Sequence, residues 1–426
     1  MKILGIESSC DETAAAVIEN GERMLSNVVN SQIDIHAEYG GVIPEIAARS
    51  HLEVVNPVIR TALEEANCTW DDIDAIAVTY APGLIGSLLV GTLAARTLAI
   101  LHDKPLYKIH HVEAHVYANF ITKQIPSSDK KTKSPEASAQ PTASTSLRGG
   151  CENDPERGFS RTLDESASST LEKSVLREEN VVGVAGNDSD EITIKPQLKL
   201  PSSQPNFPLL SLIVSGGHSQ LVYFRDHGDF DLIGQTQDDA VGEAFDKVAK
   251  IIGLPYPGGP AISEAAKLGD PKSFKLPIAK LQGKYDFSFS GLKTAVLRTV
   301  QREVGKDFTF PSHELPELVN DKLRHDIAAS FQYTAIKTLV DKTVLAYNEL
   351  NPASVFIAGG VAANQELRRQ LSDRLPINIQ YAPIQLCTDN AAMIGALAYY
   401  RSQIDQPADP YDLEVQPSLS MTALME

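Results

Sequence analysis

The sequence predicts an α/β protein built from two similar units, and three observations carry that expectation. Two apolar strand–turn–strand segments, around residues 3–18 and 210–224, open in the same way. Each is followed by alternating helical and extended stretches, the pattern of a mixed sheet with helices packed on it. Between them, residues 123–207 fit neither template.

The first segment reads as a strand over 3–6, the polar turn Glu7-Ser8-Ser9-Cys10-Asp11-Glu12-Thr13, and a strand over 14–18. Glu7 simply closes the apolar run, which is too short for a signal-peptide core. Helices are expected near 51–67 and 84–102, with a strand at 73–79 between them. The stretch 84–101 is apolar but interrupted by Arg96 and small residues, so it reads as a buried helix and not a membrane span. The second segment pairs strands at 210–214 and 220–224 across Ser215-Gly216-Gly217-His218-Ser219. Helices follow near 241–252, 321–349, 361–374 and 389–402, with a strand at 354–358. Residues 123–207 are rich in Ser, Thr, Pro, Glu and Lys without period. Too little apolar surface could be buried there to offset ordering entropy, which reads as a disordered insertion. The expected division is therefore a first α/β lobe over 1–110, a histidine-bearing helix over 111–122, the insertion over 123–207, a second lobe over 208–390, and a C-terminal helix and tail over 391–426.

Composition narrows the class. The four cysteines (Cys10, Cys68, Cys151, Cys387) are far apart with no C-x-x-C spacing, which argues against a disulfide framework or zinc ribbon. A reducing, cytoplasmic setting without a membrane is expected. The net charge of −17 excludes a protein that grips nucleic acid over its whole surface. A local basic strip or a basic partner remains compatible with tRNA.

Several residue groups can carry chemistry. Gly216-Gly217, Gly258-Gly259 and Gly359-Gly360 put paired glycines in turns, two of them directly after strands, where backbone N–H groups can approach a phosphate. Such pairs are more often plain turns, and three together leave a nucleotide cleft and simple turns evenly matched. His111 and His115 stand at i and i+4 of a helix, on one face and close enough to share a metal. Three of only ten histidines at 110, 111 and 115 favour a ligand role over an incidental polar face. Glu113 lies two residues from each, roughly 200° around the helix from His111, so it cannot serve as the water base of an H-E-x-x-H peptidase. Asp11 and Glu12 occupy the first turn, and Asp238, Asp239, Glu243 and Asp246 cluster around one helix start. Asp389 opens the last long helix, where a helix cap and a metal ligand are equally compatible with its position. Ser288-Phe289-Ser290-Gly291-Leu292-Lys293 could hold a base or phosphate, or be core packing beside a surface lysine.

Taken in order, these stretches resemble the bacterial TsaD family, tRNA threonylcarbamoyladenosine transferases once described as O-sialoglycoprotein endopeptidases. The matching runs include Gly5-Ile6-Glu7-Ser8-Ser9-Cys10-Asp11-Glu12-Thr13, His110-His111-Val112-Glu113-Ala114-His115, Val214-Ser215-Gly216-Gly217-His218, Gly242-Glu243-Ala244-Phe245-Asp246-Lys247, Ala358-Gly359-Gly360-Val361-Ala362-Ala363-Asn364 and Cys387-Thr388-Asp389-Asn390. The match covers nearly everything outside 123–207, where family members usually have a short connection. The resemblance implies the two-lobed actin, sugar-kinase and heat-shock-chaperone ATPase fold, with duplicated RNase H-like lobes. It implies metal ligands His111, His115 and Asp389 for one divalent ion, iron first and zinc second. It implies nucleotide or threonylcarbamoyl-AMP contacts at Ile213, Val214, Ser215, Gly216, Gly217, Asp246, Gly259 and Asn364, with Asp11 and Glu12 assisting proton removal from adenine. Implied partners are tRNA, the inactive paralogue TsaB pairing through the first lobe, and the small ATPase TsaE. A metallopeptidase and a non-catalytic ATP-binding scaffold are the rival expectations.

Overall fold

The computed structural model describes residues 1–124 and 198–424. The chain begins with three antiparallel strands, β1 (Lys2–Glu7), β2 (Glu12–Glu19) and β3 (Arg23–Ser31). Helices α1 (Ile33–Ala37) and α2 (Pro44–Glu65) lead to β4 (Ala75–Ala81), which returns parallel to β1. Helix α3 (Ile85–His102) crosses to β5 (Leu106–His110), parallel to β4, and α4 (His111–Tyr117) follows at once. Strand β6 (Lys123–Gln124) pairs with β3.

The second half repeats the plan. Strands β7 (Leu209–Val214), β8 (Ser219–Asp226) and β9 (Asp229–Gln235) form an antiparallel meander. After α5 (Val241–Ile252), α6 (Gly258–Ala266), α7 (Ser290–Glu303) and α8 (Asp321–Leu350), β10 (Ser354–Ala358) returns parallel to β7. Then α9 (Gln365–Arg374), β11 (Ile379–Tyr381), α10 (Ile384–Cys387) and α11 (Ala391–Arg401) complete the chain's regular elements. The sheet orders are β5-β4-β1-β2-β3-β6 and β11-β10-β7-β8-β9. Removing the short β6 leaves the same order and strand directions in both, so the expected duplication is present.

Helices α2 and α3 cover one face of the first sheet, and α4 and α11 lie on its other face. Helix α4 also touches β7 and β10 of the second sheet. One apolar core accordingly runs from Ile3 through Val112 and Val116 of α4 and Leu397 of α11 to Leu212 and Val214. The close seating of α11 on β1 depends on two small residues. A Cβ at Gly5 would lie 2.5 Å from Ala391 O and 2.8 Å from the backbone N of Gly395. Among the described residues one helix, α3, is long and apolar enough to cross a membrane; in this fold it packs against α2 and β4.

Some local expectations change. Pro257-Gly258-Gly259-Pro260 is the start of α6 and not only a turn, since Pro is tolerated in a first helical turn. The helix expected over 361–374 begins with a 3-10 turn and becomes α-helical at Gln365. Helix α7 was unexpected. The insertion expected over 123–207 lies mostly outside the described residues; at its flanks, β6 is a strand, and Leu198, Leu200 and Phe207 pack against the core.

Candidate active site

The two histidines are set by the junction between β5 and α4. His110 caps the helix, its Nδ1 accepting from Glu113 N at 3.5 Å, and His111 follows directly. One turn later His115 falls on the same face, its ring 4.7 Å from that of His111 in an edge-to-face arrangement. Helix α11 supplies the third group. Asn390 takes the N-cap position, with its side chain accepting from Met393 N at 3.1 Å. The cap is therefore filled without Asp389, whose carboxylate turns toward α4. Asp389 Oδ1 lies 3.5 Å from His111 Nε2 and 3.4 Å from His115 Nε2.

The donor set fits a divalent cation. One ligand atom from each of the three residues falls within 4.8 Å of the others. His115 is buried, and neither of its ring nitrogens meets a hydrogen-bond partner. Buried polar atoms are rarely left so, and a metal at Nε2 would satisfy one of them. Two imidazoles and a carboxylate suit iron(II) or zinc equally in donor type.

Glu7, taken from the sequence as a strand terminator, has a further place. It is fully buried at the end of β1 and accepts from Ser9 N and Thr79 Oγ1, each at 2.6 Å. Its Oε2 also lies 3.1 Å from His111 Nδ1. That contact fixes the Nδ1 proton and leaves His111 Nε2 facing His115 and Asp389, as in carboxylate-oriented metal histidines. Burial opposes protonation of His111, but Asp389 and Glu7 outweigh it and hold the imidazole up at about 9. The Asp389 carboxyl is pulled well below the usual range by His111 and His115, against the effect of burial. Glu7→Gln, which keeps the shape and loses the charge, is expected to weaken metal affinity about 10–100-fold with little change in melting. Titration of apo-protein with metal checks this.

A cavity of about 1220 Å³ carries His111 and Asp389 in its wall. From the first half come Ser9, Cys10, Asp11 and Glu12; from the second come Ser215, Gly216, Gly217, His218, Asp246, Gly259 and Asn364. The structure thus brings together every site residue expected from the sequence save three. His115 lies behind His111. Ile213 and Val214 are the correction: both are fully buried, because β7 is a central strand covered on both faces, and neither lines the cavity.

The glycines differ in what they do. Gly359 has φ +85°, and a Cβ there would sit 2.5 Å from Val214 O, so the chain itself requires it. At Gly216, Gly217 and Gly259 a Cβ would meet nothing within 4 Å, and none has a positive φ. Packing does not demand glycine there; the missing side chains keep the cavity wall open to a ligand approaching the backbone. Asp246 accepts from Gly258 N at 2.7 Å, and burial raises its carboxyl. Asn364 caps α9 and donates to Ser263 and Gln332, so its amide is already engaged. Burial, and then the neighbouring histidines, lower His218 to about 3, leaving a neutral ring in the wall.

Glu12 is held protonated: burial raises it, and Asp11 and Asp389 raise it further. Glu113 is buried on the far side of α4, paired with Arg401 Nη2 at 2.7 Å. It faces α11, away from the His–His–Asp group, as the helical spacing predicts.

Two copies of one sheet topology, with a cavity between their hairpin turns, define the two-lobed actin, sugar-kinase and heat-shock-chaperone ATPase class. A full-length HypF, solved in a phosphate- and nucleotide-bound form, shares this fold with a TM-score of 0.50 and 11% identity, over 96% of this chain and 47% of that one. Sequence comparison is more specific. The model of the TsaD family, tRNA N6-adenosine threonylcarbamoyltransferase, matches residues 23–129 and 191–396, and the chain belongs to that family. A protein of that name from Thermomicrobium roseum is 42% identical over 99% of this chain and 97% of its own. Another from Symbiobacterium thermophilum is 42% identical over 98% of this chain and 96% of its own.

Proposed function

We propose that the chain transfers the threonylcarbamoyl group of threonylcarbamoyl-AMP to N6 of the adenosine 3′ to the anticodon, in tRNAs reading codons that begin with A. The observation that carries this is one cavity whose wall holds both the open glycine turns and the His111–Asp389 edge of a metal-binding group. The glycine turns suit the adenylate phosphate. The metal, iron(II) in this reading, would be held by His111, His115 and Asp389 and supply a Lewis acid that polarises the acyl group.

Adenine N6 is a weak nucleophile, so positioning and charge stabilisation must provide most of the acceleration. In the transfer, N6 bonds to the carbamoyl carbon. The bond from that carbon to the phosphate oxygen breaks, and AMP leaves with its electron pair. The N6 proton passes to a carboxylate in the cavity wall. Glu12 already carries a proton, so Asp11 is the acceptor. Asp246 and Asn364 bound the nucleotide end.

A peptidase requires a carboxylate beside the metal to activate water, and Glu113 is committed to Arg401. A scaffold without metal leaves the orphaned His115 nitrogens unexplained. The test is labelled threonine supplied with a synthase, ATP, bicarbonate, partner proteins and tRNA. Label in the modified nucleoside is expected; a complete mixture that never labels tRNA overturns the reading.

The partner proposal is TsaB on the first lobe, with TsaE joining the assembly, all in the cytoplasm. Ile85, Leu89 and Leu93 repeat every four residues along one exposed side of α3, with exposed Leu52 on α2 nearby in the same layer. Leu89→Glu with Leu93→Glu is expected to abolish co-purification with TsaB. Stability should change by less than about 0.5 kcal/mol per site, because both side chains are substantially solvated. An intact complex by size-exclusion chromatography would reject this face.

A further inference from the structure

A second cavity, of about 280 Å³, shares Pro82 and His218 with the wall of the main cleft. Its remaining walls are His110, Val112, Gln220 and the tail from Pro417 to Met421. His110 and Val112 flank His111 in sequence, so this space adjoins the metal-binding group on a side the adenylate cavity does not use. The tail is fixed in place there. Gln416 N donates to Tyr80 O at 2.9 Å, and Gly83 N donates to Pro417 O at 3.1 Å. His110 Nε2 lies 3.1 Å from Leu419 O, and Met421 is fully buried.

The size and chemistry select a ligand. The volume falls just below the roughly 300–1,000 Å³ of small-molecule pockets, which leaves room for one flat ring system and not for a nucleotide. Most of the wall is apolar. Both His110 nitrogens are already engaged. Gln220 is 8% exposed, and its Oε1 has no hydrogen-bond partner. A buried amide oxygen left in that state is costly, so the site calls for an N–H donor on its ligand. An amide offers an acceptor beside a donor, which matches the amine and adjacent ring nitrogen of adenine.

We propose that this cavity receives the adenine of the acceptor adenosine, turned out of the anticodon loop and read by Gln220. The inference rests on the transferase reading and names the acceptor subsite within it. The amine would enter between Gln220 and the His218 side of the main cleft, with the tail as the base's outer wall. Extrusion of a loop base is the usual route to chemistry on its edge, and the cost is small where the base is unpaired.

The test compares two anticodon stem-loops, one with adenine and one with purine, which lacks the amine, at the acceptor position. Both are titrated against the assembled protein complex. Wild type is expected to bind the adenine form about tenfold more tightly. Gln220→Leu should bind both alike, with its affinity for threonylcarbamoyl-AMP and its metal content unchanged. Met421→Trp, which fills the cavity, should raise KM for tRNA at least tenfold and leave KM for the adenylate alone. A wild type that does not tell the two loops apart, or a Gln220→Leu variant that still does, overturns the assignment. So does a loss of adenylate affinity in Gln220→Leu, which would give the cavity to the donor. Binding is read without turnover, so the two claims separate. A complex that discriminates the loops but never transfers label sinks the transferase reading and leaves the adenine site standing; transfer without discrimination does the reverse.

Discussion

Asp389→Ala is expected to lose bound metal and transfer activity together while remaining folded. The fold does not use Asp389 as a cap, because Asn390 fills that position at the start of α11. Its carboxylate instead closes the group formed with His111 and His115. Removing one ligand of three, and the only anionic one, takes away the largest share of the charge that holds a divalent ion. Asn390→Ala is the matched control. Losing the cap should cost about 0.5–2 kcal/mol of stability, with metal retained and transfer preserved in the folded fraction. Elemental analysis with thermal melting reads both variants. Full metal occupancy in Asp389→Ala would remove it from the ligand set. Metal lost from folded Asn390→Ala, and kept by Asp389→Ala, would exchange their roles.

The contrast between these neighbours also shows where sequence reasoning stops. The hairpins β1–β2 and β7–β8 were legible because apolar strands around small polar turns have one plausible local structure. His111 and His115 were legible because four residues of helix return to the same face. Asp389 was not, since a carboxylate at a helix start serves a cap and a ligand equally well until the next residue's side chain is seen. Glu7 was invisible for a different reason: its partners Thr79 and His111 lie 72 and 104 residues away. Likewise, Gly216 and Gly359 both look like turn glycines. Only the three-dimensional neighbours separate the one that opens the cavity from the one the backbone needs. Helix α6 was hidden by Pro257-Gly258-Gly259-Pro260, a string of helix breakers that the first turn accommodates. A Cβ at Gly258 would fall 2.6 Å from Asp246 Cα, so glycine there lets α6 start against α5.

Asp11→Asn should abolish most transfer while the adenylate still binds. Asp11 and Glu12 share the cavity wall, but burial and the neighbouring carboxylates keep Glu12 protonated. That leaves Asp11 to take the proton as N6 attacks. A positioned general base contributes typically about 10²–10⁴-fold, so kcat should fall by that order. The Asn side chain keeps the size and a hydrogen-bonding oxygen, and the adenylate phosphate lies with the glycine turns, so KM for threonylcarbamoyl-AMP should hold. A fall in kcat at constant KM marks a group used in the transition state and not in ground-state binding. Glu12→Gln should be mild by comparison, because it replaces an already neutral group. Glu113→Gln should retain most transfer, since that side chain faces Arg401 across α4's other side. A peptidase would give the inverse pattern: metal-dependent cleavage of a glycoprotein, abolished by Glu113→Gln and indifferent to tRNA. Full activity in Asp11→Asn would end its assignment as the proton acceptor. Should the loss appear instead as weaker adenylate binding at unchanged kcat, Asp11 would belong to the nucleotide site and the proton would have to leave by another route.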